Sequence, residues 1–505
     1  MPMKKIISAV IAFVLLLPFV CGCSQVIDGN TEISEPEVSV PSFSTAHEAK
    51  RALANLADEK LYKAMYTEEW YTEYREIIKE ANSAILKKYG TDEECISVCT
   101  ELYARILIHK AKKGYDRADV AKVFIYTDNE INRYEYVNAK IYVLDKQGSE
   151  NDMEGDMTIR IRGNSTAVSE KRPYNIKFTN KTSLLGMPEG RKWCLIANHF
   201  DKTLLRNKIA FDFSAACGDI AAVKSEYCDV YLNGKLYGSY LLTQPVSDGV
   251  LDLDTKNGDF IVERIVVHEG ENDFFLSGDA GYVFDTPERE EMSRGEREKI
   301  ISFMKTVDRA IKNGNENEIR ALIDVDSFVS AYLIHELFKD CDMVTGSTYF
   351  YSKGGILYAG PIWDMDLSMG NVSHYYDQDK YRIYNNVTGF GNGSGDSATG
   401  IWAQQELFGN LMKHSFFADA VKEKYVSMQD VIQNLYKDGG YIDTACQTYG
   451  ESFARNYSQA GWQFVPYCDY EDESPESSYQ GNVDVLKDWL SRRDDYLRKN
   501  LINKK

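Results

Sequence analysis

The chain reads HELFKDCDMVTGSTYFY over residues 335–351 and YAGPIWDMDLSMG over residues 358–370. These stretches place Asp342, Asp364 and Asp366 at turn-like positions, each beside a short apolar run with the composition of a β-strand. A single aspartate at a turn is usually a solvated capping residue. Here the aspartates have a tryptophan and a proline as neighbours in segments too apolar for a surface loop. The pattern therefore favours a cluster of carboxylates with a chemical role.

The spacing of these carboxylates matches the way phosphoryl-transfer enzymes hold their metal ions. In a protein kinase, a catalytic-loop aspartate accepts the proton of the substrate hydroxyl, and a metal ligand follows five residues later. A second aspartate, beyond the next strand, holds Mg²⁺ against the phosphates. Asp342 and Ser347 have the five-residue separation, and Asp364 and Asp366 follow the next strand-like run. The two stretches therefore predict chemistry on phosphate groups.

The first 22 residues have the features of a secretory signal. Two lysines precede an apolar run of about fifteen residues, whereas a membrane-spanning helix needs about twenty. The run ends at Val-Cys-Gly-Cys23, which resembles a bacterial lipobox and implies cleavage before Cys23 and a lipid on its sulfur. Residues 23–44 are polar and acidic and predict a flexible tether. An ordinary signal peptide that is cut nearby is the alternative.

Composition excludes some classes of partner and of fold. The formal net charge is −19, and such an acidic surface repels nucleic acid and anionic lipid, so neither is an expected partner. Hydrophobic residues make up 44% of the chain, which is ample for a large core. The ten cysteines are too few for a disulfide scaffold. Cys95 and Cys99 are expected to be buried thiols, because no second Cys/His pair completes a zinc site.

Hydrophobic periodicity divides the rest of the chain into a small helical segment, residues 45–117, and a larger domain, residues 118–505. The apolar positions of the first segment recur at helical spacing and predict three helices. The larger domain begins with alternating runs typical of strands, and Asn-Gly at 233–234 predicts a type I′ hairpin turn. Residues 295–340 and 405–505 return to helical spacing. Strands first and helices later predict an α+β fold.

A basic motif within the strand region is a candidate phosphate site. One predicted strand ends in Arg162-Gly-Asn-Ser-Thr, and the next strand carries Lys177. The two side chains could clamp phosphate oxygens while backbone N–H groups of the glycine turn donate hydrogen bonds. Surface cations on an edge strand are the alternative.

The combined motifs resemble the CotH family, the spore coat protein H type of atypical protein kinase. The resemblance spans about residues 120–500 and implies a divergent kinase-like fold, with a mixed or antiparallel sheet region followed by a helical C-terminal region. The motifs that carry it, in the family's order, are RGNST (162–166), KRPYNIK (171–177), WCLIANHFDKTLLRN (193–207), YGSYLL (237–242) and WDMD (363–366).

The resemblance implies an enzyme that binds ATP with Mg²⁺, or with Mn²⁺ in its place, and phosphorylates Ser or Thr of a surface or spore-coat protein. By motif, Asp342 would be the catalytic-loop aspartate. Asp364 or Asp366 would be the primary metal ligand, without either being preferred, and Ser347 would stand at the second metal position. The residues implied for contact with the nucleotide are Arg162, Lys177 and Trp363.

Three positions depart from the family pattern. Members usually carry Asn two residues before the catalytic aspartate and again five residues after it, where this chain has Asp340 and Ser347. A serine hydroxyl is a shorter and weaker Mg²⁺ ligand than an amide oxygen. Gln244 also stands where the family often has Glu. The alternative function is therefore a kinase-like surface binding or scaffold protein that has weak activity or none.

A glycosidase with paired carboxylates is a third hypothesis. It would account for the 12% aromatic content, because sugar sites are rich in aromatic rings, but it leaves the Lys and Arg motifs unexplained.

Overall fold

The computed structural model describes residues 36–149, 151–163, 165–265, 274–278, 280–340, 346–372, 387, 406–467, 472 and 474–502. Two compact units divide the chain. One comprises Met1–Lys60 with Glu69–Gly114, and the other comprises Leu61–Glu68 with Tyr115–Lys505. The limits predicted for the signal, the tether and the domains stay predictions.

The first unit is built from three helices, as predicted. They are α1 (Ala46–Ala57), α2 (Glu68–Leu86) and α3 (Asp92–Ala111). Threonine side chains cap the N-termini of α1 and α3, where they accept from backbone N–H groups that have no partner inside the helix. Cys95 and Cys99 are buried free thiols on α3, which confirms the prediction made for them.

Seven strands of the second unit form a closed barrel in the order β1-β2-β3-β4-β5-β7-β6. Neighbouring strands are antiparallel except β1 and β6, whose parallel pairing closes the barrel. The interior is apolar, with Ile159, Ile176 and Trp193 in direct register across three strands. The strands are β1 (Ala121–Tyr126), β2 (Val137–Leu144), β3 (Met153–Ile161), β4 (Tyr174–Thr182), β5 (Gly190–Ile196), β6 (Ser225–Leu232) and β7 (Lys235–Thr243).

The predicted hairpin is confirmed at the turn between β6 and β7. Asn233 and Gly234 have φ angles of 50° and 83°, and a type I′ turn requires a positive φ at both positions. Helix α4 (Arg206–Cys217) lies between β5 and β6, and the short helix α5 (Asp248–Leu251) follows β7.

A second sheet has the order β12-β11-β8-β10-β9, and all its pairings are antiparallel. Strands β11 (Thr348–Lys353) and β12 (Ile356–Ala359) are the apolar runs recognised beside the aspartates. Sequence patterns did not predict the other three strands, which are β8 (Phe260–Ile265), β9 (Phe275–Ser277) and β10 (Ala280–Thr286).

Helices dominate the remainder of the described chain, and the predicted α+β class is confirmed. The continuous apolar core packs α4 and the later helices together with the second sheet. In the part of the chain that the structure describes, no helix is long and apolar enough to cross a membrane. The later helices are α6 (Arg294–Asn313), α7 (Glu316–Arg320), α8 (Val325–Phe338), α9 (Glu406–Leu411), α10 (Ser415–Ser427), α11 (Gln429–Tyr436), α12 (Tyr441–Ser458) and α13 (Tyr479–Leu497).

Candidate active site

The segment Trp363 to Gly370, which carries two of the predicted metal ligands, is fixed by the N-terminus of α4. The backbone N–H of Met365 donates to Asn207 Oδ1 at 2.8 Å. Arg206 donates from Nε to the Ser368 carbonyl at 2.9 Å and from Nη2 to the next carbonyl at 3.2 Å. The Arg-Asn pair that closes the motif over residues 193–207 therefore holds the WDMD segment through its backbone.

The C-terminal end of α8 leads into the predicted catalytic loop. The Phe338 carbonyl accepts from the Met369 N–H at 2.7 Å, so the end of this helix also contacts the WDMD segment. Asp340 is buried, and its Oδ2 lies 2.9 Å from His335 Nδ1. The predicted catalytic Asp342 belongs to residues 341–345, outside the described residues.

Ser347 joins two carboxylates at the start of β11. Its N–H donates to Glu263 Oε1 at 2.9 Å, and its Oγ donates to Asp364 Oδ2 at 3.2 Å. The φ of Ser347 is 55°, a left-handed conformation that turns the chain at this point. Glu263 reaches the site because β8 pairs with β11, and the hydroxyl of Tyr349 donates to its second oxygen at 3.2 Å.

A third carboxylate, Asp285, approaches from β10. It lies at an irregularity in the pairing of β10 with β8, where the register shifts between Phe284 and Thr286. An extra residue in one strand re-aims its side chain, which is a common feature beside active sites. Glu263, Asp285 and Asp364 are called the acid cluster below.

Burial raises the pKa of all three carboxyl groups above the usual range. For Glu263, the nearby charges of Asp285 and Asp364 act in the same direction as burial. Arg162 opposes the effect at Asp364, and Lys192 opposes it at Asp285. In a partly buried site, carboxylates that repel one another are unfavourable in their ionised form, and a bound cation would stabilise that form.

The cations near the acid cluster come from the outer face of the barrel. Lys177 on β4 pairs directly with Lys192 on β5. On its other side Lys177 pairs with Thr158 on β3, and Arg160 follows Thr158 by two residues. Residues that pair directly have their side chains on the same face of a sheet, and so do residues two positions apart on one strand. These side chains therefore lie on the same face of the barrel wall, opposite to the apolar interior. Arg160, Arg162, Lys177 and Lys192 are called the basic face below.

Trp363 and Arg162 are in contact where the basic face meets the WDMD segment. The guanidinium of Arg162 lies over the Trp363 ring, 5.1 Å from its centroid, and the same ring stacks on Phe211 at 5.6 Å. Trp363 is buried between these two neighbours. A cation on an aromatic face is held in place without losing its charge, so Arg162 can attract an anion in the space beside Asp364.

The predicted site residues occupy distinct positions in this arrangement. The structure brings Ser347, Asp364, Arg162 and Trp363 together, as described above. Lys177 lies on the outer surface, 6.0 Å from the ring centroid of Tyr136. Asp366 is buried, and its backbone carbonyl accepts from Asn371. Gln244 donates to the Pro188 carbonyl at 2.6 Å, so its side chain is hydrogen-bonded to the backbone of a neighbouring loop.

Sequence reasoning missed Glu263, Asp285 and Lys192. The sequence marks Glu263 by one signal, because it is an acidic residue inside the apolar run FIVERI. Burying a charged side chain in such a strand costs free energy unless the charge has a partner. Asp285 lies just beyond such a run, and only the strand pairing shows that it faces the site. Lys192 is marked by its register with Lys177, which also requires the sheet to be known.

The chemistry of the site suits a cation held against an anion. Within the described residues, which leave out 341–345 and most of 373–405, no group of three or more His, Cys, Asp and Glu side chains could by itself hold a metal ion. Oxygen ligands from a bound phosphate commonly complete the shell of Mg²⁺, which needs one or two protein carboxylates. The acid cluster and the basic face therefore fit a metal bound together with a phosphate ester.

The family model described as CotH kinase protein matches residues 159–497, which is most of the chain. The matched part includes the barrel strands that follow β3, the acid cluster and the C-terminal helices. A search of the curated proteins gave no significant match.

The ion pair of Asp201 and Arg206 generates a prediction about stability. The Asp201 side chain is fully buried and that of Arg206 is 6% exposed. Arg206→Gln should lower the free energy of unfolding by about 3–5 kcal/mol, because it leaves a buried carboxylate unpaired. Chemical denaturation measures the change. The control is Arg294→Gln, which removes an exposed pair with Glu298 and should cost less than about 1 kcal/mol. Equal losses in the two variants would contradict the anchoring role.

Proposed function

The chain belongs to the CotH kinase family, and we propose that it is an exported, lipid-anchored protein kinase. In this proposal it transfers the γ-phosphate of ATP to Ser or Thr of a protein on the cell surface or spore coat, with Mg²⁺ or Mn²⁺. Family membership supports a kinase-like protein. The observation that carries it is the position of Arg162, which lies over the ring of Trp363 and whose charge acts on the neighbouring Asp364.

The acid cluster would bind the metal ion of a metal nucleotide, and the basic face would bind its phosphates. A divalent cation, when bound, neutralises charge on the phosphates and orients them for in-line transfer. Asp364 is the proposed primary ligand, because its carboxylate faces Ser347 and Arg162. The acid cluster is partly buried, so each of its interactions with a cation would be stronger than in bulk solvent.

The basic face would bind the triphosphate. Arg162, held on Trp363, has a planar fork of donors suited to phosphate oxygens. Lys192 is the lysine of this face whose charge acts on Asp285. Lys177, the sequence-based candidate, lies in register beside Lys192 and would extend the same positive surface. These cations would offset the charge that develops on the transferred group.

Asp342 remains the proposed acceptor of the substrate hydroxyl proton. Its described neighbour Asp340 is buried and hydrogen-bonded to His335, so the start of the loop is fixed at the end of α8. General-base catalysis requires a carboxylate within hydrogen-bond reach of the substrate hydroxyl, and this is the role proposed for Asp342.

A specific observation favours the rival function, a kinase-like binding or scaffold protein. Ser347 replaces the usual Asn, and its hydroxyl is already engaged by Asp364. If that bond persists with metal present, the second metal position is lost, and phosphoryl transfer would be slow or absent. Export also favours the rival, because ATP is scarce outside the cytoplasm.

The choice between Asp364 and Asp366 can be tested by paired substitutions. Asp364→Asn should lower ATP turnover, measured as autophosphorylation with radiolabelled ATP, by about 10²–10³-fold, the range found when one stabilising group of a transition state is removed. Asp366→Asn is the matched control and should have the smaller effect. The reverse order would remove Asp364 from the primary position.

Ser347→Asn tests the departure from the family pattern. Asn tolerates the positive φ of this position, and its amide oxygen extends one bond further toward a cation. The variant should need less Mg²⁺ for half-maximal turnover, and Ser347→Ala should need more. Identical Mg²⁺ titrations for all three proteins would mean that residue 347 only shapes the turn.

Lipid attachment is tested at the cysteine pair near residue 23. Cys23→Ser should move the protein from the detergent phase to the aqueous phase in detergent partitioning of cells, because the acyl chains provide the membrane affinity. Cys21→Ser should stay in the detergent phase. A Cys23→Ser protein that partitions like the parent would contradict the anchor.

A further inference from the structure

Within the acid cluster, Glu263 and Asp364 differ in how their oxygens are engaged. Both oxygens of Glu263 accept hydrogen bonds, Oε1 from the N–H of Ser347 at 2.9 Å and Oε2 from the hydroxyl of Tyr349 at 3.2 Å. Asp364 accepts from the Ser347 hydroxyl through Oδ2, and its Oδ1 accepts no hydrogen bond from the described residues. The two carboxylates are therefore not equivalent candidates for binding a cation.

The contact between Glu263 and Tyr349 is fixed by the pairing of β8 with β11. The two residues are direct partners in the register of these strands, so their side chains lie on the same face of the sheet. Burial and the charges of Glu263 and Asp285 raise the pKa of Tyr349 well above its usual value. The hydroxyl therefore keeps its proton at neutral pH and acts as a donor to the carboxylate.

The backbone of the two residues joined by the serine hydroxyl supplies an independent observation. Ser347 and Asp364 have φ angles of 55° and 61°, so both are in the left-handed region. A residue other than glycine pays free energy for this conformation and keeps it only where the surrounding contacts fix it. The backbone N–H of Ser347 is fixed by Glu263, and its hydroxyl is bound to Asp364. Glu263 is thus one of the contacts that hold the turn.

We propose that Glu263 is a positioning residue of the acid cluster and not a metal ligand. Together with Tyr349 it holds the turn at Ser347, whose hydroxyl fixes one oxygen of Asp364 and leaves the other for a cation. This inference rests on the proposed function, because it assigns separate roles to the carboxylates of the site that would bind the metal nucleotide. The turn is needed whether the Ser347 hydroxyl stays on Asp364 or moves to a bound metal.

Crystal structures of two Glu263 variants of the full chain test the positioning role without metal and without turnover. In Glu263→Ala, Ser347 should leave the left-handed region and its hydroxyl should lose hydrogen-bond contact with Asp364. In Glu263→Gln the turn should be kept, because the amide oxygen still accepts from the Ser347 N–H. A Glu263→Ala structure in which the turn and the contact with Asp364 are unchanged would overturn the proposal.

Manganese shows directly whether Glu263 is a ligand, because Mn²⁺ scatters anomalously. Crystals of the parent with Mn²⁺ and a non-hydrolysable ATP analogue should show a metal bonded to Asp364, while Glu263 keeps its bonds with Ser347 and Tyr349. A metal bonded to an oxygen of Glu263 would overturn the proposal. An acid cluster without Mn²⁺ would contradict the proposed function instead, and the Glu263→Ala structure would still decide the role of Glu263.

Tyr349→Phe provides the solution arm and also serves if Glu263→Ala fails to fold. It removes the hydroxyl on Glu263 and keeps the ring, and it should lower kcat for ATP turnover by about tenfold, the effect of one lost hydrogen bond to a charged group. Tyr351→Phe is the matched control on the same strand, where the ring stacks on Tyr358, and it should turn over like the parent. Thermal unfolding of both variants separates this effect from a loss of stability. Equal turnover in the two variants would contradict the role of Tyr349, and in a parent without turnover the crystal structures decide.

Discussion

The guanidinium of Arg206 is the contact on which the site depends. It is buried between Asp201 and the backbone carbonyls of Ser368 and Met369, so one side chain joins α4 to the WDMD segment. Burying a charge is costly, and the cost is offset here by a carboxylate on one side and by two carbonyl dipoles on the other. With that segment fixed, Asp364 is held where β11 and the basic face can reach it.

The site combines acidic and basic side chains whose charges act on one another. Three carboxyl groups lie in a partly buried space where burial raises each pKa, and cations of the barrel oppose the effect at Asp364 and Asp285. Glu263 and Asp285 belong to the second sheet and Asp364 to the WDMD segment. Cations of the barrel lie within electrostatic reach of Asp285 and Asp364. A metal with a triphosphate would satisfy both, since the metal matches the acids and the phosphates match the cations.

Much of this fold could be predicted from the sequence, because helix periodicity, strand alternation and the Asn-Gly turn are local signals. The site was predicted only in part. Asp364 and Ser347 come from stretches adjacent in sequence, and both reach the site. Glu263 and Asp285 reach the site because β8 pairs with β10 and β11. The pairing of strands that are far apart in sequence cannot be predicted from the local spacing of residues. Lys192 depends on the register of β4 and β5 for the same reason.

The acid cluster and the basic face are proposed to bind a metal nucleotide together. Isothermal titration calorimetry of the full chain with ATP measures this most directly, in Mg²⁺, in Mn²⁺ and in EDTA. Binding should be tight with either metal and should weaken sharply in EDTA, because the carboxylates repel a bare triphosphate. Absence of binding in all three conditions, or binding that is unchanged by EDTA, would contradict the account.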